Sequence, residues 1–395
     1  MLLPTGPYCR GACRLADMVN ASIVEPFQTL EDPRIARTKQ HPLLDILVIA
    51  VCTLLTGGEG FQDMELFGKS KQAWLPTFLA WPHGIPSPDT FGRGFARLTL
   101  KRFQECLLAW TQAVAPLPHG ALVSLDGQTV QSSFDRATAL SPFPMLSAWC
   151  SENGGLGIGH ITTEQKSNAI TAIPALLPLL AIHGCSVTIA AMGCQTAMAA
   201  HILDQGGDDL LALKNNHKTT YPAMPQYCHP QLEHHLPWRD AAHCFEAFAN
   251  PHGRRVRRRV WGMTDLTALP ALEQWPGLHA VIAVETIRMA HKQAPVTRED
   301  RFSLASLVRS ATAFVPLIRQ HWDSEHKLHW SLDVTLNEDR CRIRKDHAAE
   351  HMVALRHMAL NLWRQASSRR LSLRQPRLLW GLDEHYLLTV IARAT

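Results

Sequence analysis

Residues 121–127 read Ala-Leu-Val-Ser-Leu-Asp-Gly, a short apolar run that ends in a carboxylate, Asp126, followed by a glycine. Apolar runs of this length, bounded by turn-forming residues, are typical of a buried strand. A carboxylate at the end of such a strand is held in place by the sheet. The segment therefore predicts a strand with Asp126 at its carboxyl end. The alternative interpretation is that Asp126 belongs to a turn before Gly127.

A second run of the same kind occupies residues 185–195, Cys-Ser-Val-Thr-Ile-Ala-Ala-Met-Gly-Cys-Gln, and it has Ala190 where a carboxylate would be expected. Further along, the helical stretch 321–330, His-Trp-Asp-Ser-Glu-His-Lys-Leu-His-Trp, carries Glu325. Carboxylates that hold divalent metal ions can support phosphodiester chemistry. Asp126 and Glu325 are therefore candidate catalytic and metal-binding residues. The alternative for Glu325 is a helix-surface glutamate paired with a basic side chain.

The pattern along the 395 residues predicts an α/β protein with several parts. Residues 1–24 are rich in turn formers and are predicted to be a loosely ordered extension. Residues 25–116 have the apolar spacing of helices and predict a helical N-terminal domain. Residues 117–370 alternate strand-like and helical runs, which predicts a mixed-sheet domain with a β-rich insertion at about 215–300 and a helical C-terminal region. Residues 371–395 are predicted to be a C-terminal tail.

Some elements can be predicted in more detail. Gly57 follows an apolar helical stretch and is expected to end that helix. Ser87, Asp89 and Thr90 precede another and are the candidate helix caps there. Strands are predicted at 147–150 and 157–162, where they can pair around a turn. A late helix is predicted over about 304–329.

Composition excludes several classes of protein. The chain is 46% hydrophobic and 18% charged, which is typical of a globular protein, and its net charge of +5 permits a polyanionic partner. Ten cysteines without a Cys-x-x-Cys pair favour free thiols in a reducing compartment. Neither a Gly-x-Ser-x-Gly elbow nor a Walker loop is present. The apolar stretch 43–55 is too short to span a bilayer, and no signal peptide is evident, so no membrane association is expected. The His-x-x-Glu-His spacing at 347–351 is a chance match more often than a zinc site.

One dense basic cluster occupies residues 254–259. Alternation along a strand would place Arg255, Arg257 and Arg259 on one face, with Arg254 and Arg258 on the other. Such arginines can neutralise the phosphates of nucleic acid, which makes binding strongly dependent on salt. The alternative is a solvated surface.

Seven motifs occur in one order, and together they closely resemble bacterial insertion-sequence transposases of the DDE class, in the group of H-repeat-associated proteins. The motifs are Leu-Asp126-Gly-Gln-Thr-Val, Lys166-Ser-Asn168-Ala-Ile170, Ala191-Met-Gly193-Cys-Gln195, Leu211-Ala-Leu-Lys214-Asn-Asn216, the stretch from His321 to Asp333, Glu338-Asp339-Arg340, and Leu355-Arg356-His-Met-Ala-Leu-Asn361. The resemblance covers roughly residues 27–388. No single motif is specific, whereas the combination is.

The resemblance implies a ribonuclease H-like core, a Mg²⁺- or Mn²⁺-dependent Asp-Asp-Glu triad, and cleavage and joining of transposon DNA ends. By position, the first aspartate is Asp126 and the glutamate is Glu325. The second aspartate falls at Ala190, which cannot ligate a metal. Neither Asp208 nor Asp209 is expected to substitute for it. Further departures from the family pattern are Gln128, Ala169, Ser303 and His326.

The expected partner is double-stranded DNA, both transposon ends and target. Its phosphates are expected to contact Arg254, Arg255, Arg257, Arg258, Arg259 and Lys214. A homodimer is expected because transposition brings two ends together, and the location implied is the bacterial cytoplasm at the nucleoid. Two alternatives remain open: a catalytically inactive DNA-binding transposase remnant, and a general metal-dependent nuclease.

Overall fold

The computed structural model of the protein describes residues 23, 25–35, 37, 39–130, 142–152, 155–162, 169–234, 244–250, 255–289, 296–322, 324–366 and 374–392. Within them the strands are β1 Leu122–Thr129, β2 Pro144–Cys150, β3 Leu156–Thr162, β4 Ser186–Ile189, β5 Asp208–Leu213, β6 Cys244–Ala249, β7 Arg255–Met263, β8 Ala280–Met289 and β9 Thr297–Ala305. The longer helices are α1 Leu43–Thr56, α2 Phe61–Ser70, α3 Pro88–Arg97, α4 Leu100–Val114, α5 Ala169–Leu176, α6 Thr196–Asp204, α7 Ala223–His234, α8 Ala311–His321, α9 Ala348–Ala366, α10 Arg374–Leu382 and α11 Glu384–Ala392. Arg254, the motif residues 166–168 and nearly all of the predicted N-terminal extension lie outside the described residues.

The chain folds as two units. The helical unit comprises Met1–Pro116, Gly127–Asn168 and Glu325–Thr395, and the sheet unit comprises Leu117–Asp126 and Ala169–Ser324. Strand β1 begins in the sheet unit, and its last three residues belong to the helical unit. The chain therefore passes between the units at two of the residues that the motifs single out, Asp126 and Glu325.

The helical unit is built around α1, in which twelve of fourteen residues are buried. A helix that is apolar on all sides must be surrounded by other elements, and the core around α1 includes buried residues of α3, α4, α9 and α11. The caps predicted for two helices are confirmed. Gly57 ends α1 with a left-handed backbone (φ 109°), and the Ser87 hydroxyl accepts a hydrogen bond from the Thr90 backbone amide at the start of α3.

The helical unit also contains the antiparallel pair β2–β3, which confirms the predicted pairing. The side chain of Asn361 on α9 is hydrogen-bonded to this strand pair. The Asn361 amide accepts a hydrogen bond from the Gly157 backbone N–H (2.9 Å) and donates one to the Gly157 carbonyl (2.7 Å). Because Asn361 is only 2% exposed, both bonds are shielded from water.

The sheet unit contains one mixed sheet in the order β1-β4-β5-β9-β8-β7-β6. The strands β1, β4 and β5 run parallel, and every later neighbour pairs antiparallel. Strands β6, β7 and β8 lie within the range of the predicted insertion, about 215–300, and they extend the same sheet. Together the two units confirm a mixed α/β protein with a large mixed sheet and many helices.

The late helix is shorter than the sequence predicts. Residues up to 305 belong to strand β9, which is paired on both sides, with β5 and β8. Helix α8 then begins at Ala311, where the Ser310 hydroxyl accepts a hydrogen bond from the Ala313 backbone amide. After His321 the chain continues in a wider, π-helical turn over Ser324–His329. Two cross-strand pairings therefore override the helical spacing of this stretch.

Helix α8 lies on one face of the sheet, called here the α8 face. Phe314 and Leu317 of α8 share a hydrophobic core with Leu122, Leu210 and other residues whose side chains point to that face, including Val260, Ile282 and Val284. Register and strand alternation assign Ser124 of β1 and Thr188 of β4 to the same face.

No single helix among the described residues is long and apolar enough to cross a membrane. Helices α1 and α2 satisfy the length and composition criteria only when taken together, and they meet at a bend of 93°.

Candidate active site and nucleic-acid surface

Asp126 is the fifth of the eight residues of strand β1, which continues to Thr129, so the prediction that Asp126 ends the strand is wrong. Leu122 to Leu125 are buried, and Asp126 is half-buried. The parallel register between β1 and β4 pairs Leu125 with Ile189. Continued by one residue, this register sets Asp126 beside Ala190, with both side chains on the α8 face. The position at which the motif alignment expects a second aspartate is thus the neighbour of the first.

The end of α8 approaches Asp126 within the sheet unit. The Ser324 hydroxyl has a single proton, which the Asp126 carboxylate (3.4 Å) and the His321 carbonyl (3.1 Å) share as acceptors. Ser324 is buried, and Glu325, the next residue in the chain, is exposed. In the chain, Glu325 therefore directly follows the residue that contacts Asp126.

A hydrogen bond links His321, at the end of α8, to strand β4. Its Nδ1 atom is hydrogen-bonded to the hydroxyl of Thr188 (3.0 Å), two residues before Ala190. Burial, with smaller contributions from the Lys214 and Arg301 charges, lowers the pKa of His321 to about 4. The imidazole is therefore neutral at pH 7, and its role is to position the end of α8 rather than to carry charge.

Asp208 and Asp209 lie at the wrong end of the sheet to replace the missing aspartate. Asp209 pairs in register with Val187, at the start of β4. Its Oδ1 atom accepts a hydrogen bond from the Ser306 amide (3.2 Å), and burial raises its pKa to about 7. Asp208 aligns through Ser186 with Leu122, four residues before Asp126, a distance of about 13 Å along a strand. The expectation that neither substitutes agrees with this geometry.

In the helical unit, Glu325 borders a cleft of about 370 Å³ with a strongly acidic lining. The lining residues are Gln128, Thr129, Val130, Glu325, His329, Trp330, Asp333, Glu338 and Asp339. Burial raises the pKa of Glu338 to about 8 and that of Asp333 to about 6, with Asp339 adding to both shifts. Gln128 donates a hydrogen bond to Glu338 (3.2 Å). Glu338 and Asp339 follow the Glu325 motif in the sequence, and their place in this cleft was not predicted.

The predicted arginine cluster divides between the two faces of β7. On the face opposite α8, Arg257 forms an ion pair with Glu246, and Arg259 forms one with the buried Glu285 (2.6 Å). Arg255 is exposed on that face, and Arg258 points to the α8 face. Lys214 follows β5 and is exposed. The structure thus confirms the strand and its alternation, while DNA contact by these residues stays a prediction.

Residues 122–362 match the family described as Transposase DDE domain, and residues 24–111 match the family described as DDE_Tnp_1-associated. The chain therefore belongs to the DDE transposase family.

Named relatives agree with this assignment. The chain is 32% identical over 373 residues to the "H repeat-associated putative transposase YhhI" of Escherichia coli (strain K12), covering 94% of this chain and 97% of that protein. It is 31% identical over 373 residues to the "Putative transposase YncI" of Escherichia coli O157:H7, covering 94% of each. The resemblance to the H-repeat-associated group is thus confirmed.

Proposed function

We propose that the protein is the DNA transposase of an insertion sequence, with Asp126 and Glu325 as its catalytic and metal-binding carboxylates. Its ribonuclease H-like core would act on double-stranded transposon ends and target DNA, as a homodimer, at the bacterial nucleoid in the cytoplasm. We further propose that cleavage and strand transfer are impaired in this chain. The observation that carries the impairment is the parallel register that pairs Leu125 with Ile189, which, continued by one residue, sets Ala190 beside Asp126.

Three contacts of the sheet unit support the role of Asp126. The sheet fixes its backbone, the Ser324 hydroxyl holds one carboxylate oxygen, and the Thr188–His321 hydrogen bond holds the end of α8 over the same strands. A carboxylate restrained in this way keeps its orientation before any ligand arrives. Glu325 directly follows Ser324 in the chain.

The divalent ions expected for the family would activate the attacking oxygen and stabilise the leaving oxygen of a phosphodiester. The residues present do not supply the complete donor set. Ala190 offers a methyl group where an anionic oxygen is needed, and no group of three or more His, Cys, Asp or Glu side chains among the described residues is arranged to hold a metal ion. Impaired activity follows from this shortage of ligands.

Restoration of the missing carboxylate tests the proposal. Wild type, Ala190→Asp and the uncharged control Ala190→Asn would be incubated with Mg²⁺ or Mn²⁺ and a DNA fragment that carries the terminal repeats of the element. Ala190→Asp is expected to cleave the ends, whereas wild type and Ala190→Asn are expected to cleave them weakly. Equal activity in all three proteins would refute the role assigned to position 190.

The same assay separates the alternatives. A protein that binds the ends, and does not cleave them even as Ala190→Asp, is an inactive DNA-binding remnant. Cleavage of DNA that lacks terminal repeats, at the same rate as DNA that has them, would identify a general nuclease.

A further inference from the structure

The α8 face of the sheet carries a group of arginines on three adjacent strands. Arg258 of β7 pairs in register with Thr286 of β8, which pairs in turn with Glu299 of β9. Arg288 and Arg301 are each two residues from this row, on β8 and β9, so alternation places them on the same face. Diagonal neighbours of this kind are about 7–8 Å apart, within reach of long side chains.

The last turn of α8 adds a further cation. Arg319 is exposed on the helix that covers this face. Burial lowers the pKa of Arg258, and the charges of Arg319, Arg301 and Arg288 lower it further, whereas Glu299 opposes the shift. Charges in salt solution act on one another over about 10 Å. The guanidinium groups of Arg258, Arg288, Arg301 and Arg319 therefore lie close together.

Few carboxylates neutralise this group. Glu299 is shared by two of the arginines, with ion pairs to Arg288 (2.8 Å) and Arg301 (2.6 Å). Among the described residues, neither Arg258 nor Arg319 forms an ion pair. On the opposite face most arginines are neutralised, because Glu246 pairs with Arg257 and Glu285 pairs with Arg259 and Arg298. The positive charge is therefore left on the α8 face.

This positive surface begins at the edge of the sheet where Asp126 lies. Leu213 pairs with Phe302, so the register continued by one residue sets Lys214 beside Arg301. Lys214 directly follows β5, as Ala190 directly follows β4, and Asp126 lies beside Ala190 in the continued register. Three strand spacings separate β9 from β1, a distance of about 14 Å. A duplex that lies along this edge could touch the arginines and still reach Asp126.

We propose that Lys214, Arg258, Arg288, Arg301 and Arg319 form the surface that binds the phosphate backbone of double-stranded DNA, and that the ion-paired arginines on the opposite face do not. The occupant follows from charge complementarity, because a duplex carries one negative charge per about 1.7 Å of its axis. The proposal rests on the proposed function, and it adds the side of the sheet on which the DNA lies.

Two variants that each remove two positive charges from the same sheet test the surface. Arg258→Gln/Arg319→Gln changes the proposed surface, and Arg255→Gln/Arg257→Gln changes the opposite face. Binding of a fluorescent duplex of arbitrary sequence would be measured by anisotropy across a series of KCl concentrations. Each lost phosphate contact lowers the slope of log K against log salt by about 0.9. The first variant should thus lose about 1.8 in slope and roughly 60-fold in affinity at about 0.1 M salt. The control should match wild type.

Equal losses in both variants, a larger loss in the control, or no binding of duplex by wild type would overturn the proposal. Arg319→Gln alone provides a second test, because an exposed helix residue can be changed without unfolding the protein, and it should lower the slope by about 0.9. Circular dichroism would verify the fold of each variant. End cleavage by Ala190→Asp is a separate readout, so failure of this surface and failure of the transposase assignment give different results.

Discussion

Ala190→Asp tests the geometry beside Asp126 in the absence of DNA. Adjacent strands are about 4.8 Å apart, so the new carboxylate would lie roughly 5 Å from that of Asp126. Two unit charges at this separation repel by about 0.8 kcal/mol in bulk water and by about 3 kcal/mol at an effective dielectric constant of about 20. Both positions are half-buried. The free energy of unfolding should therefore fall by about 1–2 kcal/mol when no divalent ion is present.

A divalent ion should reverse the sign of this effect. An ion that binds only the native state adds about 2.7 kcal/mol to the free energy of unfolding at a concentration about 100 times its Kd. Thermal unfolding, followed by circular dichroism with EDTA and then with Mn²⁺, would measure both changes. The control Ala190→Asn has nearly the same size and no charge, so it should show neither the loss nor the recovery.

The comparison between the two variants decides the outcome. If Ala190→Asp and Ala190→Asn unfold at the same temperature in EDTA and respond equally to Mn²⁺, residue 190 does not lie beside Asp126. The register argument would then be refuted, and with it the explanation offered for impaired catalysis.

Two further predictions concern the helical unit. Asn361→Leu should lower the free energy of unfolding by about 2–6 kcal/mol, since two buried backbone groups of Gly157 lose their partners at about 1–3 kcal/mol each. Gln365→Leu, which removes one hydrogen bond to the Val114 carbonyl (2.6 Å), should lower it by about 1 kcal/mol, and equal urea midpoints for the two variants would contradict this. Glu338 has a folded pKa of about 8, above the unfolded value of 4.5, so folding favours its protonated form. The stability it contributes is complete below pH 4.5 and is lost as the pH rises towards 8. Urea midpoints across that range should fall less for Glu338→Gln than for wild type, and parallel profiles would contradict the assignment.

The elements that could be predicted from the sequence are those that local chemistry decides. Strands β1, β4 and β5 are short apolar runs between turn formers, and Gly57 and Ser87 end and begin helices through contacts within a few residues. The strand that carries Asp126 could be predicted for the same reason, but its end could not, because β1 continues to Thr129. The alignment of Ala190 with it needed the ordered motifs, and the parallel register then brings the two residues together.

The features that could not be predicted depend on pairing between distant segments. The helix predicted over about 304–329 included residues 304–305, yet these two residues form a strand because β5 and β8 both pair with β9. The ion pairs of Arg257 and Arg259 depend on which carboxylates the register of β6 and β8 sets opposite them. Sequence alternation gave the two faces of β7 correctly, but it contains no information about which face is neutralised.

Position 190 shows why fold and activity can separate in this protein. The side chain of residue 190 is half-buried and contributes little to the core, whereas the buried side chain of Asn361 is hydrogen-bonded to both backbone groups of Gly157. A second carboxylate beside Asp126 would reduce stability unless a metal ion were bound, so its replacement by alanine relieves a repulsion and leaves the register of β4 intact. The free energy of unfolding of the wild-type chain therefore says nothing about its catalytic competence. Catalytic competence depends instead on the number of metal-binding carboxylates beside Asp126. The difference in Mn²⁺ stabilisation between Ala190→Asp and Ala190→Asn measures the effect of adding one such carboxylate.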